Sequence, residues 1–181
     1  MKNNYDNLKD LIKDNLSLKE TEEAQNLIKE LKNVKARGFL TKKQFYDVAM
    51  WKTPRPKNYY LSNSEKFVKK ISKNSLSSKT EEEKIITLTS LKGVSIPVAS
   101  SLLTIINPKK YVIIDIRVWK LLYSYGEIRT KPGGQGFNLN DWKNYISILR
   151  KYSGVFDVNV RDIERTLFFY HRKNHEGKLY T

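Results

Sequence analysis

The chain contains no cysteine and few glycines or prolines. Its 181 residues include no cysteine, eight glycines and five prolines. The missing thiols exclude disulfides, zinc–thiolate sites, iron–sulfur clusters and thiol nucleophiles together. So few glycines and prolines argue against a loop-rich β protein, and the hydrophobic fraction of 39% argues against disorder. We therefore expect an all-helical globular protein.

Long apolar runs are also missing. No stretch approaches the length of a membrane-spanning helix, and Met1 to Asn4 begin a polar segment without a signal-peptide core. These absences predict a soluble, cytoplasmic protein. The length suits a single domain, residues 1–181, built from two small lobes.

Acidic residues are scarce relative to basic ones. The chain has 34 Lys and Arg against 19 Asp and Glu, which gives a formal net charge of +15, and the excess recurs along its whole length. Such a balance favours a polyanionic partner, because neutralising phosphates releases condensed counterions. A lysine-rich surface without any ligand would give the same count, so charge alone leaves nucleic-acid binding open.

Apolar residues recur at three- and four-residue spacings over most of the chain, the pattern of amphipathic helices. The first such stretch covers residues 20–35 and is predicted to end at Gly38. Capping-box pairs predict helix starts at Thr41 and Thr80. The helix that starts at Thr41 is predicted to end near Trp51. Further helices are predicted over residues 64–72, 97–106, 115–125, 140–152 and 160–174.

Three connecting segments complete this outline. Residues 73–78 are polar and are predicted to form a loop. Residues 111–114 have strong β propensity but no partner strands, so they are expected to be a buried extended connection. The glycine-rich segment 131–136 lacks the ending of a nucleotide-binding loop, which predicts a flexible connection.

The segment from Leu91 to Ser101 has the pattern of a helix, a tight turn at Gly93 and a second helix. A hairpin that leads into a helix N-terminus presents backbone N–H groups and a positive dipole end, which suit a phosphate oxygen. Such a contact holds DNA without reading its sequence. An ordinary helical hairpin has the same pattern, so the hairpin alone does not decide. The candidate DNA-backbone contacts are Lys92, Gly93, Val94 and Ser95.

The continuation from Asn107 to Lys120, NPKKYVIIDIRVWK, makes the pattern more specific. Over residues 83–123 the chain resembles the helix-hairpin-helix superfamily of DNA glycosylases. In that family a Leu-x-Gly-Val-Gly hairpin precedes an apolar helix, an extended apolar stretch and a Val-Asp-x-x-Val-x-Arg pattern. The resemblance implies a two-lobed, all-α, glycosylase-like fold, and it implies that Asp115 is the catalytic carboxylate.

The resemblance also carries departures from the family pattern. Pro97 stands where members that cleave the DNA backbone have a nucleophilic lysine, which implies a monofunctional enzyme that leaves an abasic site. Ser95 replaces the second hairpin glycine, and Lys120 replaces an arginine. The absence of cysteine implies the type without an iron–sulfur cluster.

The chemistry of base excision gives Asp115 a physical role. Cleavage of an N-glycosidic bond passes through an oxocarbenium-like sugar, so a fixed carboxylate can stabilise positive charge and orient or deprotonate the attacking water. A helix N-terminus favours the ionised form of such a group. An aspartate at this position is also a common N-cap with no further duty.

Other residues are weaker candidates. Trp51, Lys52 and Arg55 could line the pocket of a flipped base, or they could be a core tryptophan with solvated cations. Arg117 could reach a phosphate or pair with an acid of the last helix. The candidate partners in that second case are Asp162 and Glu164.

Aromatic and histidine residues give further, mostly structural, expectations. Aromatic residues at helical spacing usually belong to the core. The stacking candidates of this kind are Tyr59, Tyr60, Trp119, Trp142 and Tyr145. His171 and His175 lie four residues apart and are expected to be a surface pair, since no third metal ligand is evident and no metal is expected.

The sequence thus predicts a monomeric, cofactor-free base-excision enzyme acting on double-stranded DNA, where hydrolysis needs only water. Two alternatives stay open: a non-catalytic helix-hairpin-helix DNA-binding protein, and a helical scaffold whose charge serves solubility. The excised base, and the choice between DNA repair and attack on foreign DNA, also stay open.

Overall fold

In a computed structural model the chain is all-helical, as predicted. The structure describes residues 5–175 and 179, and within these it contains no β-strand. The polar segment Met1 to Asn4 lies outside the described residues. The helices are α1 (Leu8–Asn15), α2 (Glu22–Leu31), α3 (Val34–Arg37), α4 (Lys42–Lys52), α5 (Lys57–Leu61), α6 (Glu65–Ser77), α7 (Glu81–Leu88), α8 (Ile96–Ile106), α9 (Ile116–Ser124), α10 (Leu139–Phe156) and α11 (Val160–Asn174).

The chain divides into two compact units. The first, called here the hairpin unit, comprises residues 21–113, and the second, the aspartate unit, combines residues 1–20 with residues 114–181. The aspartate unit is therefore discontinuous in sequence. No helix of the described residues is long and apolar enough to cross a bilayer.

The hairpin unit is built around α8. Almost every residue of this helix is buried, and α2, α4 and α7 pack against it. A helix that is apolar on all sides must be covered on all sides, which explains its central position. Its buried hydroxyls bond within the helix: Ser101 donates to the Val98 carbonyl at 2.7 Å and Thr104 to the Ser100 carbonyl at 2.8 Å.

Local capping signals place several helix ends where the sequence predicts them. Both capping boxes, at Thr41 and Thr80, are present. Gly38 ends the first stretch in the left-handed region at φ 80°, although that stretch forms two helices, α2 and α3. Asn107, followed by Pro108, ends α8.

The predicted loop over residues 73–78 is wrong, because α6 continues to Ser77. Val68, Ile71 and Ser75 lie on one buried face of this helix. The Ser75 hydroxyl donates to the Lys84 carbonyl of α7 at 2.8 Å. Residues 73–77 are therefore helical although their sequence is polar, because Ser75 packs against α7. The short helices α1 and α5 were also not predicted.

In the aspartate unit, α1, α9 and α10 pack against α11. Trp119, Trp142 and Tyr145 are fully buried, which confirms the expectation that such aromatics belong to the core. The rings of Trp119 and Tyr145 stack at 6.3 Å with an interplanar angle of 13°. Residues 111–114, which connect the two units in sequence, are buried and have no regular secondary structure, as predicted.

The glycine-rich segment 131–136 is a packed turn, which corrects the expectation of a flexible connection. The Trp119 indole donates to the Lys131 carbonyl at 2.9 Å. Gly134 is buried at φ +64°, and a Cβ there would lie 3.1 Å from Cγ1 of Ile116. The turn is thus anchored to the first residues of α9.

Buried charges join residue 20 to α11. The Arg161 guanidinium donates to Glu20 at 2.9 Å and also pairs with Glu164. Arg165 donates to Asp162 at 2.7 Å and to Glu20 at 3.2 Å. All five side chains are largely shielded from solvent, so each charge needs its partners.

Candidate functional site

The turn at Gly93 has a conformation that requires glycine. Gly93 lies at φ +83°, and a Cβ there would lie 2.9 Å from Cβ of Tyr59 and 3.0 Å from the ring of Tyr60. Positive φ is costly for side-chain-bearing residues, and the contact with α5 leaves no room for a methyl group. The hairpin is therefore a tightly packed element in which α5 lies directly against the turn.

Ser95 follows the hairpin turn without backbone strain. It lies at φ −91° and ψ 171°, an extended conformation that any residue adopts. It is the N-cap of α8, and its side chain makes no capping hydrogen bond. A second glycine is not needed for this backbone path.

The hairpin amides fall into two groups. The Lys92 N–H donates to Oδ1 of Asn63 at 2.9 Å, and the Val94 N–H donates to the Leu91 carbonyl at 3.1 Å. These two amides are already engaged, so the candidate contact of Lys92 is its exposed side chain. Among residues 91–99, the N–H groups for which the described structure has no hydrogen-bond acceptor are those of Gly93, Ser95, Ile96 and Val98.

Tyr59 and Tyr60 have opposite environments. Tyr60 is buried with its ring edge-to-face against Phe45, and burial raises the pKa of its hydroxyl to about 12. Tyr59 is 64% exposed beside the Gly93 turn. Tyr60 is a core residue, while Tyr59 adds an accessible aromatic ring next to the hairpin.

The candidate pocket residues lie in the hairpin unit as well. Trp51 and Lys52 occupy the last turn of α4 and are half-buried, while Arg55 is exposed in the connection to α5. They share a unit with the hairpin, whereas Asp115 belongs to the aspartate unit. Their role in a base pocket stays a prediction.

Asp115 is the N-cap of α9, as predicted. Its backbone is extended at φ −135° and ψ 142°, and its Oδ1 accepts the Arg117 N–H at 2.9 Å. The side chain is half-buried. The cap thus holds the carboxylate in one orientation at the helix start.

Tyr145 supports Asp115 from within the core. It is fully buried and makes a hydrogen bond to the Asp115 backbone. Burial raises the pKa of the Tyr145 hydroxyl well above its ordinary value, and the nearby carboxylates of Glu164 and Asp115 raise it further. No local signal in the sequence could show this contact, since the two residues are on different helices.

Arg117 does not form the predicted ion pair, because Asp162 and Glu164 bind other arginines of α11. Its guanidinium lies 5.9 Å from the ring centroid of Phe168. Of the two predicted roles, contact with a phosphate is the one that stays open.

The expectation that His171 is on the surface is wrong. It is 1% exposed, and neither ring nitrogen has a hydrogen-bond partner among the described residues. Its ring stacks on His175 at 4.5 Å. Burial, together with the nearby positive charges of His175, Arg117 and Lys120, lowers the pKa of His171 to about 4. His171 is thus a neutral core residue, and no group of three ligating side chains that could hold a metal occurs in the described residues.

No family model, curated protein or solved structure matches this chain. Any assignment of function therefore depends on the residues described above. The most informative of these are the Gly93 hairpin and the capped Asp115.

Proposed function

We propose that the protein is a monofunctional DNA glycosylase of the helix-hairpin-helix type. It acts as a monomer on double-stranded DNA, flips a modified or mismatched base and hydrolyses the N-glycosidic bond. In this proposal the hairpin unit and the aspartate unit are the two lobes of one domain that spans residues 1–181.

The observation that carries the proposal is the Gly93 hairpin with its unbonded amides. The N–H groups of Gly93 and Ser95 have no acceptor among residues 5–175, and they lie at a turn that leads into the N-terminus of α8. A phosphate oxygen can accept hydrogen bonds from such N–H groups, and the helix dipole favours the negative charge of the phosphate. The net charge of +15 supplies the long-range attraction to DNA.

Asp115 supplies the chemistry in this proposal. Water attacks the anomeric carbon, the C–N bond breaks, and its electron pair leaves with the base. The carboxylate stabilises the positive sugar and accepts the proton of the water. The Asp115 carboxylate accepts the backbone N–H of Arg117, and this bond restricts the orientations of the carboxylate. Less conformational entropy is then lost when the carboxylate reaches the reactive geometry.

The proposal of a monofunctional enzyme rests on α8. This helix contains no lysine, and Pro97 occupies its first turn. No amine from α8 can therefore attack the sugar and open the strand, so the product is an intact strand with an abasic site.

The test uses duplexes that each contain one modified base: an oxidised purine, an alkylated base, or uracil opposite guanine. We expect strand scission only after alkali, which reveals abasic sites. Asp115→Asn and Asp115→Ser both retain an N-cap, so they should fold normally. We expect each to lose at least about 100-fold in base release while duplex affinity is unchanged.

Two outcomes contradict the proposal. Base release by either capped variant at the wild-type rate would remove Asp115 from the reaction. Salt-sensitive duplex binding with no base release from any substrate would favour the non-catalytic DNA-binding alternative.

A further inference from the structure

Asn63 is a polar residue buried against the hairpin. It follows α5 and is 1% exposed. Its Oδ1 accepts the Lys92 N–H at 2.9 Å, and its Nδ2 donates to the Lys92 carbonyl at 3.0 Å. The same Nδ2 also donates to the carbonyls of Tyr59 at 3.0 Å and Tyr60 at 3.2 Å. The Asn63 side chain thus links the end of α5 to both the N–H and the carbonyl of Lys92.

These bonds determine how the next peptide group is oriented. The Lys92 carbonyl and the Gly93 N–H belong to one planar trans peptide, in which the two groups point in opposite directions. Because Asn63 binds the carbonyl, the Gly93 N–H must point away from Asn63. This N–H is one of the amides without a partner in the described structure.

We infer that Asn63 is a positioning residue, which orients the Gly93 amide for a DNA phosphate without touching DNA itself. This inference rests on the proposed function, since it needs the hairpin to bind DNA. It assigns a binding role to a residue that sequence patterns do not single out, because its partner lies 29 positions away.

A neutral amide contact has a distinctive salt signature. A lysine that binds a phosphate releases a counterion, so its loss flattens the plot of log K against log salt by about 0.9. A backbone N–H releases no counterion of its own. Misplacing the Gly93 amide should therefore weaken binding equally at all salt concentrations.

The first experiment compares Asn63→Leu with Lys92→Ala by measuring duplex affinity over a series of salt concentrations. Leu has nearly the shape of Asn and no charge, but it can neither accept from the Lys92 N–H nor donate to the three carbonyls. We expect Asn63→Leu to weaken binding about tenfold with an unchanged salt slope. We expect Lys92→Ala to reduce the slope by about 0.9.

Ser72→Ala is the matched control for stability. Ser72 is fully buried in the same unit, and its hydroxyl accepts the Leu40 N–H at 2.9 Å. Its loss should lower the melting temperature, and duplex affinity should stay at the wild-type value. If Asn63→Leu also lowers the melting temperature but leaves affinity unchanged, Asn63 is only structural and the inference is overturned.

A second measurement needs no variant, which covers the case in which Asn63→Leu does not fold. In amide NMR spectra of the wild-type protein titrated with a short duplex, the Gly93 and Ser95 signals should shift most. Equal or larger shifts at Lys92 and Val94, whose amides are engaged, would overturn the inference. A wild-type protein that binds no DNA would instead refute the proposed function.

Discussion

The hairpin unit and the aspartate unit bury different kinds of polar group. The hairpin unit buries neutral amide and hydroxyl groups, of which Asn63, Ser72 and Thr104 are examples. The aspartate unit buries Arg161, Arg165 and their acidic partners. Neutral groups are satisfied by hydrogen bonds at any ordinary pH, whereas buried charges need paired charges. Sensitivity to charge and pH should therefore be concentrated in the aspartate unit.

Removing one buried charge gives the largest expected effect. Arg161→Leu removes the buried guanidinium that pairs with both Glu20 and Glu164, and such a loss typically costs about 3–5 kcal/mol in the free energy of unfolding. Urea unfolding measures it. The control is Lys43→Ala in the hairpin unit, which removes the exposed pair with Asp47 and should change stability little. Equal effects of the two variants would refute the contrast.

Gly93→Ala should have an intermediate effect. Gly126→Ala in the aspartate unit is its control, because Gly126 has φ +75° but no atom within 4 Å of a new Cβ. Left-handed strain alone costs about 1 kcal/mol, and at Gly93 the clash with Tyr59 adds to it. We expect thermal melting to show a larger loss for Gly93→Ala, with weaker duplex binding for that variant only. If the two variants lose similar amounts of stability, α5 moves away from the new methyl group at little cost, and the clash adds nothing.

His171 should produce the smallest effect, as a pH dependence. Its pKa is lowered to about 4 in the folded protein, against about 6.5 in an unfolded chain. Between these values the unfolded chain takes up the extra proton, so stability falls as pH falls below about 6.5. Above that pH the group contributes no slope.

His171→Leu should flatten this dependence. The ring nitrogens have no partners among the described residues, so leucine loses no hydrogen bond there. We expect the melting temperature of the wild-type protein to drop more between pH 7 and pH 5 than that of the variant, with the difference vanishing above pH 7. Parallel pH profiles would place the acid sensitivity in other groups.

Sequence reasoning succeeded where the signal is local. The capping boxes at Thr41 and Thr80, the end at Gly38 and the N-cap at Asp115 each depend on a few neighbouring residues. The buried extended stretch before Asp115 was also predicted, because consecutive β-branched residues without partner strands leave few alternatives.

It failed where the partner is distant in sequence. The helical residues 73–77 look like a loop until α7 covers the face that contains Ser75. His171 looks like a surface residue until the aspartate unit closes around it. In the candidate site, Gly93 and Asp115 were found from the sequence pattern, while Asn63 and Tyr145 act through contacts that only the folded chain shows.

The discontinuity of the aspartate unit has a consequence for the order in which the chain folds during synthesis. Residues 21–113 can complete their own unit while the rest is still being translated. Ser17, whose amide binds the Thr166 hydroxyl 149 positions later, must wait for the final helix. The delay costs little free energy, because the entropy of closing a loop grows only with the logarithm of its length. The unit that contains Asp115 is thus completed last, after the hairpin unit has formed.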